Sequence, residues 1–219
     1  MEPKKKKSAR KLPLQEKGYH HGDLAAALVE AAEAVLTERG VEGFTLRECA
    51  RRAGVSHAAP AHHFRDAKGL LTEVAAVGFD RLTQAQRLAR EAEPELKDQL
   101  LATGTAYVGF ALAHPAQFQL MFQSGLLDHD NARFRDASRA AFAIFAETFE
   151  AVREVRVEHD VAKNSDPAVL RQWALVHGIA TLAVQGQLGP NRSKQDKARL
   201  VGFARKMLED AQKHDAGCA

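Results

Sequence analysis

Apolar residues recur at helical spacing along almost the whole chain, and no stretch alternates with the period of two that a strand would need. Leu24, Leu28, Ala31, Val35 and Leu36 fall on one face of a predicted first helix that opens near Asp23 and closes at Gly40. A residue without Cβ turns out of a helix at positive φ without a clash. Thr45-Leu46-Arg47-Glu48 predicts a second helix opened by a capping box, in which Thr and Glu each satisfy an orphan backbone donor. Gly54 ends it. Ser56 is the expected cap of a short third helix reaching about Phe64, and Asp66 caps a fourth from about Ala67.

Longer helices follow beyond about residue 90. Leu96, Leu100, Tyr107 and Ala111 mark one that ends at His114-Pro115, and Phe118 to Phe122 form a brief one. Phe134, Ala141, Phe142, Phe145, Phe149 and Val152 make a stripe after Asn131. Asp166-Pro167 supplies an N-cap followed by proline at the first helical position, and that helix is expected to run to about Leu188. A last helix carries Leu200, Phe203, Ala204, Met207, Leu208 and Ala211. The expected fold is all-α, with an N-terminal three-helix helix-turn-helix head on a C-terminal helical bundle. The expected division is a basic arm at 1–17, a head at 18–82 and a body at 83–219.

Two short helices joined by Gly54-Val55 have the dimensions of a helix-turn-helix, whose second helix enters the major groove of DNA. At about 100° per residue, His57, Ala58, Ala61 and His62 share one side of the third helix. Ala59, Pro60, His63 and Phe64 share the other, which packs inward. The histidines suit base edges or phosphate, and the alanines permit close approach to thymine methyls. His63, on the inward side, reads as a packed histidine. Pro60 stands as the fourth helical residue, where it removes the first intrahelical hydrogen bond and could kink the helix.

Charge sharpens this picture. The net charge is only +3, but residues 1–17 hold seven Lys/Arg against two Glu. Within 45–68, Arg47, Arg51, Arg52, Arg65 and Lys68 oppose only Glu48 and Asp66, which is where phosphate neutralisation needs cations. The arm is either a solvated tail or a DNA contact, and His20 and His21 either reach a minor groove or cap the first helix. Cys49 and Cys218 lie far apart, in neither a disulfide nor a zinc pattern. There is no membrane-length apolar run and no secretory pattern, so a reduced cytoplasmic protein is expected. No metal spacing, phosphate loop or nucleophile triad is readable among the ten histidines and their neighbours, so neither an enzyme nor a cofactor is expected.

The run from Phe44-Thr45-Leu46-Arg47-Glu48 through Ala53-Gly54-Val55-Ser56, continuing to His62-His63-Phe64-Arg65-Asp66-Ala67-Lys68-Gly69, resembles the head of the tetracycline-repressor (TetR) family. The resemblance implies that Thr45 and Lys68 meet phosphates and that His57 and Ala58 approach bases. It also places His62 where an aromatic base-contacting residue is common. Ala61 stands where the family usually carries a phosphate-contacting tyrosine, and Pro60 where it usually carries a buried leucine. Thr45 and Ser56 are in addition accounted for as caps.

Seven of the eleven phenylalanines lie between residues 107 and 149. By spacing alone these aromatics read as core. The resemblance makes the region an effector pocket, lined by Tyr107, Phe110, His114, Phe118, Met121, Phe122, Phe142, Phe145 and Phe149 with Trp173 and His177, and suited to a small apolar or amphipathic molecule. Trp173-Ala174-Leu175-Val176-His177-Gly178 resembles the Trp-x-x-x-His-Gly signature of the WHG-type C-terminal domain of a TetR subgroup. His177 reads first as a hydrogen-bonded structural histidine. Its helix is apolar almost all round, so a partner subunit is the expected cover for one face, through helices at about 167–188 and 195–212. The function implied is a homodimeric DNA-binding transcription regulator, an effector-released repressor on a palindromic operator. The alternatives are non-specific DNA binding, a helical adaptor, or a histidine-dependent enzyme.

Overall fold

Caps and breakers along the chain set nine α-helices in the computed structural model, which describes residues 21–154, 158–160, 163 and 166–217. The basic arm at 1–17, His20 and Cys218 lie outside these residues, as does the side chain of His21. Helix α1 spans His21–Arg39, and Gly40 follows it at φ +66°. Helices α2 (Leu46–Ala53) and α3 (Ala59–Phe64) precede the long α4 (Ala67–Glu91). Helices α5 (Leu96–Ala113) and α6 (Pro115–Met121) lead through a 3-10 turn at Ser124–Leu126 to α7 (Ala132–Arg153). Helices α8 (Pro167–Val184) and α9 (Lys194–Gly217) complete the order. The described residues contain no strand, and the fold is the expected all-α head on a helical bundle.

Asp66 and Asp166 cap the helices expected of them. Asn131 accepts from the Phe134 amide at 3.0 Å and Asp166 from the Ala168 amide at 2.8 Å, each satisfying a donor that the first helical turn leaves open. Three expectations are corrected. Helix α8 stops at Val184, four residues early, because the chain turns through Gly186 at φ +76°. Glu48 does not complete a capping box: Thr45 Oγ1 accepts from the Glu48 amide at 3.2 Å, while the Glu48 carboxylate turns to arginines instead. Ser56 caps no helix, since residues 56–58 form a turn closed by Ala59 N donating to Ser56 O at 3.0 Å. Helix α3 therefore starts at Ala59, and Pro60 sits in its first turn, where a missing N–H costs nothing.

One continuous core runs from Val35, Leu36 and Cys49 under the head, along α4, into Tyr107, Phe118 and Val176 of the body. A smaller cluster of Leu100, Phe142, Phe145, Ala146, Phe149 and Val169 lies beside it. Helices α8 and α9 both lean on α5 more than on each other. Their outer faces carry Leu182 at 43% exposure and Phe203 at 45%. Helix α8 is thus buried on one side through Val169, Val176, Ile179 and Ala183, while Ala174 and Leu182 face outward with open space above Gly178.

Candidate nucleic-acid interface and internal cavity

Gly54, at φ +69°, ends α2 in the left-handed conformation and sends the chain into the 56–58 turn. Ser56, His57, Ala58, Ala61 and His62 are exposed, whereas Pro60 is buried and His63 and Phe64 are half-buried with rings 6.1 Å apart. Burial thus divides the segment along the two sides that helical spacing distinguishes, with the turn carrying Ser56 to Ala58 rather than the helix itself. Thr45, Arg47 and Lys68 are exposed at the first turns of α2 and α4.

The corner that joins α3 to α4 is unusually tight. Arg65 takes φ +66°, Asp66 N donates to Phe64 O at 2.8 Å, and Asp66 Oδ1 accepts from Gly69 N at 2.8 Å. A Cβ on Gly69 would lie 1.9 Å from the Phe64 carbonyl oxygen. Only glycine lets α3 fold back this closely on α4, and that closeness sets Lys68 beside the exposed face.

The cations of this region divide into two groups. Glu48 accepts from Arg51 at 2.8 Å and from Arg52 at 2.9 Å, with Arg39 at 3.2 Å, and Arg52 also reaches Glu38 at 2.6 Å. The hydrogen bonds from Arg51 and Arg52 hold the Glu48 carboxyl down to about 2. The Arg52–Glu38 and Arg39–Glu48 pairs therefore brace α2 against α1, while Arg51 is engaged by Glu48 of its own helix. Arg47, Arg65 and Lys68 form no ion pair among the described residues, so the free positive charge is smaller and more localised than the sequence tally suggests. Buried Cys49 has its thiol pushed up to about 11 by desolvation, which makes it a packing residue rather than a nucleophile.

A cavity of about 420 Å³ opens in the body. Its walls come from Phe79, Leu82 and Gln86 of α4, Gly104 and Tyr107 of α5, Met121 and Phe122 of α6, and Trp173 and Val176 of α8. Helix α7 contributes Phe134, Arg135, Ser138, Arg139, Ala141, Phe142 and Phe145, with Ser124, His129 and Asp160 completing the rim. Edge-to-face ring pairs fix the wall, among them Phe79–Phe122 and Phe79–Phe134, both at 5.7 Å.

Six of the residues expected from the sequence line this cavity: Tyr107, Met121, Phe122, Phe142, Phe145 and Trp173. Five do not. His177 stands behind the wall, stacked on Trp173 at 16° and 5.3 Å, with its Nδ1 2.8 Å from the Tyr107 hydroxyl. Burial lowers its pKa and raises that of Tyr107, so both stay neutral and hold the wall in place. Phe118 packs between Tyr107, Phe122 and His177. Phe110 is buried against His114 at 5.2 Å, and burial lowers the His114 pKa. Phe149 belongs to the smaller cluster and faces a separate groove between α5, α7 and α9. The lining residues of α4 carry no expectation from the sequence, because helical periodicity alone does not separate a packed stripe from one that lines a space. The available signal was Gln86, a polar residue in register with Phe79 and Leu82 on the apolar face.

A part-buried polar junction joins α6 and α4 to α1, with Gln117 at its buried centre. Gln117 of α6 donates through Nε2 to Val74 O at 2.9 Å and to Glu33 Oε1 at 3.0 Å. Arg81 Nη1 donates to Glu33 at 2.6 Å and to Gln117 Oε1 at 3.0 Å. Gly78 lets α6 lie against α4 here, since a Cβ on it would come within 2.7 Å of Met121 Sδ and 2.9 Å of Gln117 Cγ.

Residues 28–74 match the family described as bacterial regulatory proteins, tetR family, and residues 100–209 match the tetracyclin repressor-like C-terminal domain. A structure of a protein with unknown function from Rhodococcus sp. RHA1 is 36% identical, covering 88% of this chain and 97% of that one at a TM-score of 0.65. A bacterial regulatory protein in the tetR family from Rhodococcus RHA1 shares the fold at 20% identity and a TM-score of 0.62, over 84% of this chain and 96% of its own. The HTH-type transcriptional regulator BetI of Proteus mirabilis (strain HI4320) is 34% identical over 82 residues. That match spans 35% of this chain and 40% of the length of the curated relative.

Proposed function

The chain belongs to the tetR family of bacterial regulatory proteins, DNA-binding transcriptional regulators, and from that premise we propose that it is an effector-released repressor acting as a homodimer on a palindromic operator. One observation carries the reading: His57, Ala58, Ala61 and His62 are exposed together while Pro60 anchors the segment from behind. Thr45, Ser56 and Lys68 flank them as phosphate contacts, and His63 supports the reading helix from its inner side. Arg47 and Arg65 add free charge to the same surface. Two copies held about 34–36 Å apart would enter successive major grooves on one face of the duplex.

In this reading residues 18–82 bind DNA and 83–219 sense and pair, with the division falling inside α4. The WHG-type Trp173, His177 and Gly178 organise the wall of the sensing cavity. Pairing uses the outer faces of α8 and α9, where Leu182 and Phe203 would be covered by the second copy. Among the described residues no helix is long and apolar enough to cross a membrane, in keeping with a cytoplasmic regulator.

A small apolar or amphipathic effector in the cavity would press on Met121 and Phe122 of α6. Because Gln117 of the same helix holds Glu33 of α1, that pressure reaches the head. The effector shifts the equilibrium only by its differential affinity for the two head positions. Selection from random duplexes should recover a palindrome with half-sites one helical turn apart. Binding without sequence preference would instead favour a non-specific DNA-binding protein and overturn the reading.

A further inference from the structure

We propose that the cavity takes a neutral, largely apolar molecule bearing a hydroxyl or N–H donor, and that Gln86 recognises that donor. The proposal rests on reading the cavity as an effector site. Phe79, Leu82 and Gln86 recur at helical spacing on the wall that α4 presents. Two of these are hydrocarbon. Gln86 is only 2% exposed, and its Oε1 is buried with no hydrogen-bond partner among the described residues.

The other buried polar residues on α4 and at its junction with α6 are different. Thr72 and Thr83 return their hydroxyls to Lys68 O at 2.7 Å and Phe79 O at 2.8 Å, and Gln117 is fully engaged between α1 and α4. A short threonine can bond to its own helix, whereas the longer glutamine carries its carboxamide away from the backbone. Burying an unpaired amide is costly, so a buried carboxamide on a cavity wall is best explained by a partner that arrives with the ligand. A hydroxyl both donates and accepts, so it fits whichever way the carboxamide is turned.

The rest of the lining argues that this ligand is uncharged. Phe79, Leu82, Phe142 and Trp173 offer no counter-charge beside Gln86. The cations Arg135 and Arg139 are exposed on α7, and Arg139 is bound to Asp160 at 3.1 Å. An apolar frame with one polar group meets these walls without burying an unpaired ion.

The single tryptophan of the chain, Trp173, lies in the wall and reports occupancy by its emission. The full-length protein is titrated with 1-octanol and with 1-methoxyoctane, which keeps the chain and the oxygen but lacks the donor. Partition into an indifferent apolar space favours the ether, so a preference for the alcohol needs a specific acceptor. The expected result is about tenfold tighter binding of the alcohol, lost in both Gln86→Leu and Gln86→Met. Neither variant should lower the thermal midpoint, because no protein group is left unpaired when the carboxamide goes. Equal binding of the two probes, binding of neither, or an alcohol preference that survives in both variants would overturn the proposal. Operator release is measured separately. An alcohol that binds through Gln86 without releasing DNA supports the site while removing the effector role.

Discussion

Gln117 on α6 and Glu33 on α1 are joined by a 3.0 Å hydrogen bond from the Gln117 amide nitrogen to a carboxylate that also receives Arg81. Helix α6 contributes Met121 and Phe122 to the cavity, so this bond lies one helix removed from an occupant and directly on the first helix of the head. Gln117→Ala removes two hydrogen bonds of a buried carboxamide and leaves the part-buried Glu33–Arg81 pair short of a partner, and should cost about 1–2 kcal/mol in urea unfolding. Faster amide exchange in α1 than in α5 would mark the loss as one of coupling. A uniform change across both helices would contradict that role.

Lys68 is exposed at the start of α4 and forms no ion pair among the described residues. Lys68→Ala should weaken binding to every duplex alike and reduce the slope of log affinity against log salt by about one unit. His62, by contrast, faces the groove in the proposed dock, so exchanging it should alter the selected sequence at one position of each half-site. A Lys68 variant with an unchanged salt slope would place that lysine off the phosphate.

Gly69→Ala tests the corner. Alanine in a helix interior normally stabilises by up to about 1 kcal/mol relative to glycine. Here its Cβ meets backbone, not a yielding side chain, at 1.9 Å from Phe64 O. The expected sign is therefore reversed: about 2–4 kcal/mol of lost stability, with operator binding lost as α3 is displaced. A more stable variant in thermal unfolding would show that the corner opens freely.

Leu182 of α8 and Phe203 of α9 are large apolar side chains left in solvent. Phe203→Glu, alone or with Leu182→Glu, should convert a dimer to monomers in sedimentation velocity at micromolar concentration. Operator affinity should fall with it, because each half-site then binds alone. A wild-type chain that sediments as a monomer would remove the paired mechanism.

Glu48 ties pH to the stability of the head. Its carboxyl is held at about 2 by Arg51 and Arg52 against the usual 4.5, so the folded state favours the ionised form. That contribution is complete above about pH 4.5 and is lost as pH falls toward about 2. Glu48→Gln should lower the thermal midpoint at pH 7, and its difference from wild type should close as pH falls through that window. A gap that stays constant would assign the effect to packing.

Helix existence and order were legible because caps and breakers act locally. Asp66 and Asp166 each cap the helix that the sequence assigns to them, the stripe after Asn131 is a helix, and Gly40 and Gly54 end theirs. What failed depended on competition or on distance in the chain. Thr-x-x-Glu promised a full capping box, but three nearby arginines outbid the Thr45 amide for the Glu48 carboxylate. Ser56 promised a cap, yet Pro60 favours a later helix start. The cavity was half legible: aromatic density pointed to α5 through α7, but periodicity cannot distinguish a stripe that packs from one that lines a space. Phe118 therefore reads as lining although it packs behind the wall, His177 is the hydrogen-bonded structural histidine that its packed helix suggests, and Phe79, Leu82 and Gln86 carry no expectation of lining.

Helix α4 carries Lys68 near one end and Gln86 near the other, so in the proposed reading a single unbroken rod would meet both the duplex and the ligand. At 1.5 Å per residue these positions are about 27 Å apart along the axis. A tilt of about 5° pivoting at the ligand end moves the other by about 2 Å over that length, several times the roughly 0.5 Å over which a hydrogen bond to a base edge keeps its strength. Leverage of this kind makes the stiffness of α4 itself a determinant of how well the two events communicate. A residue introduced midway that bends the helix would separate sensing from reading even with every contact at both ends left intact.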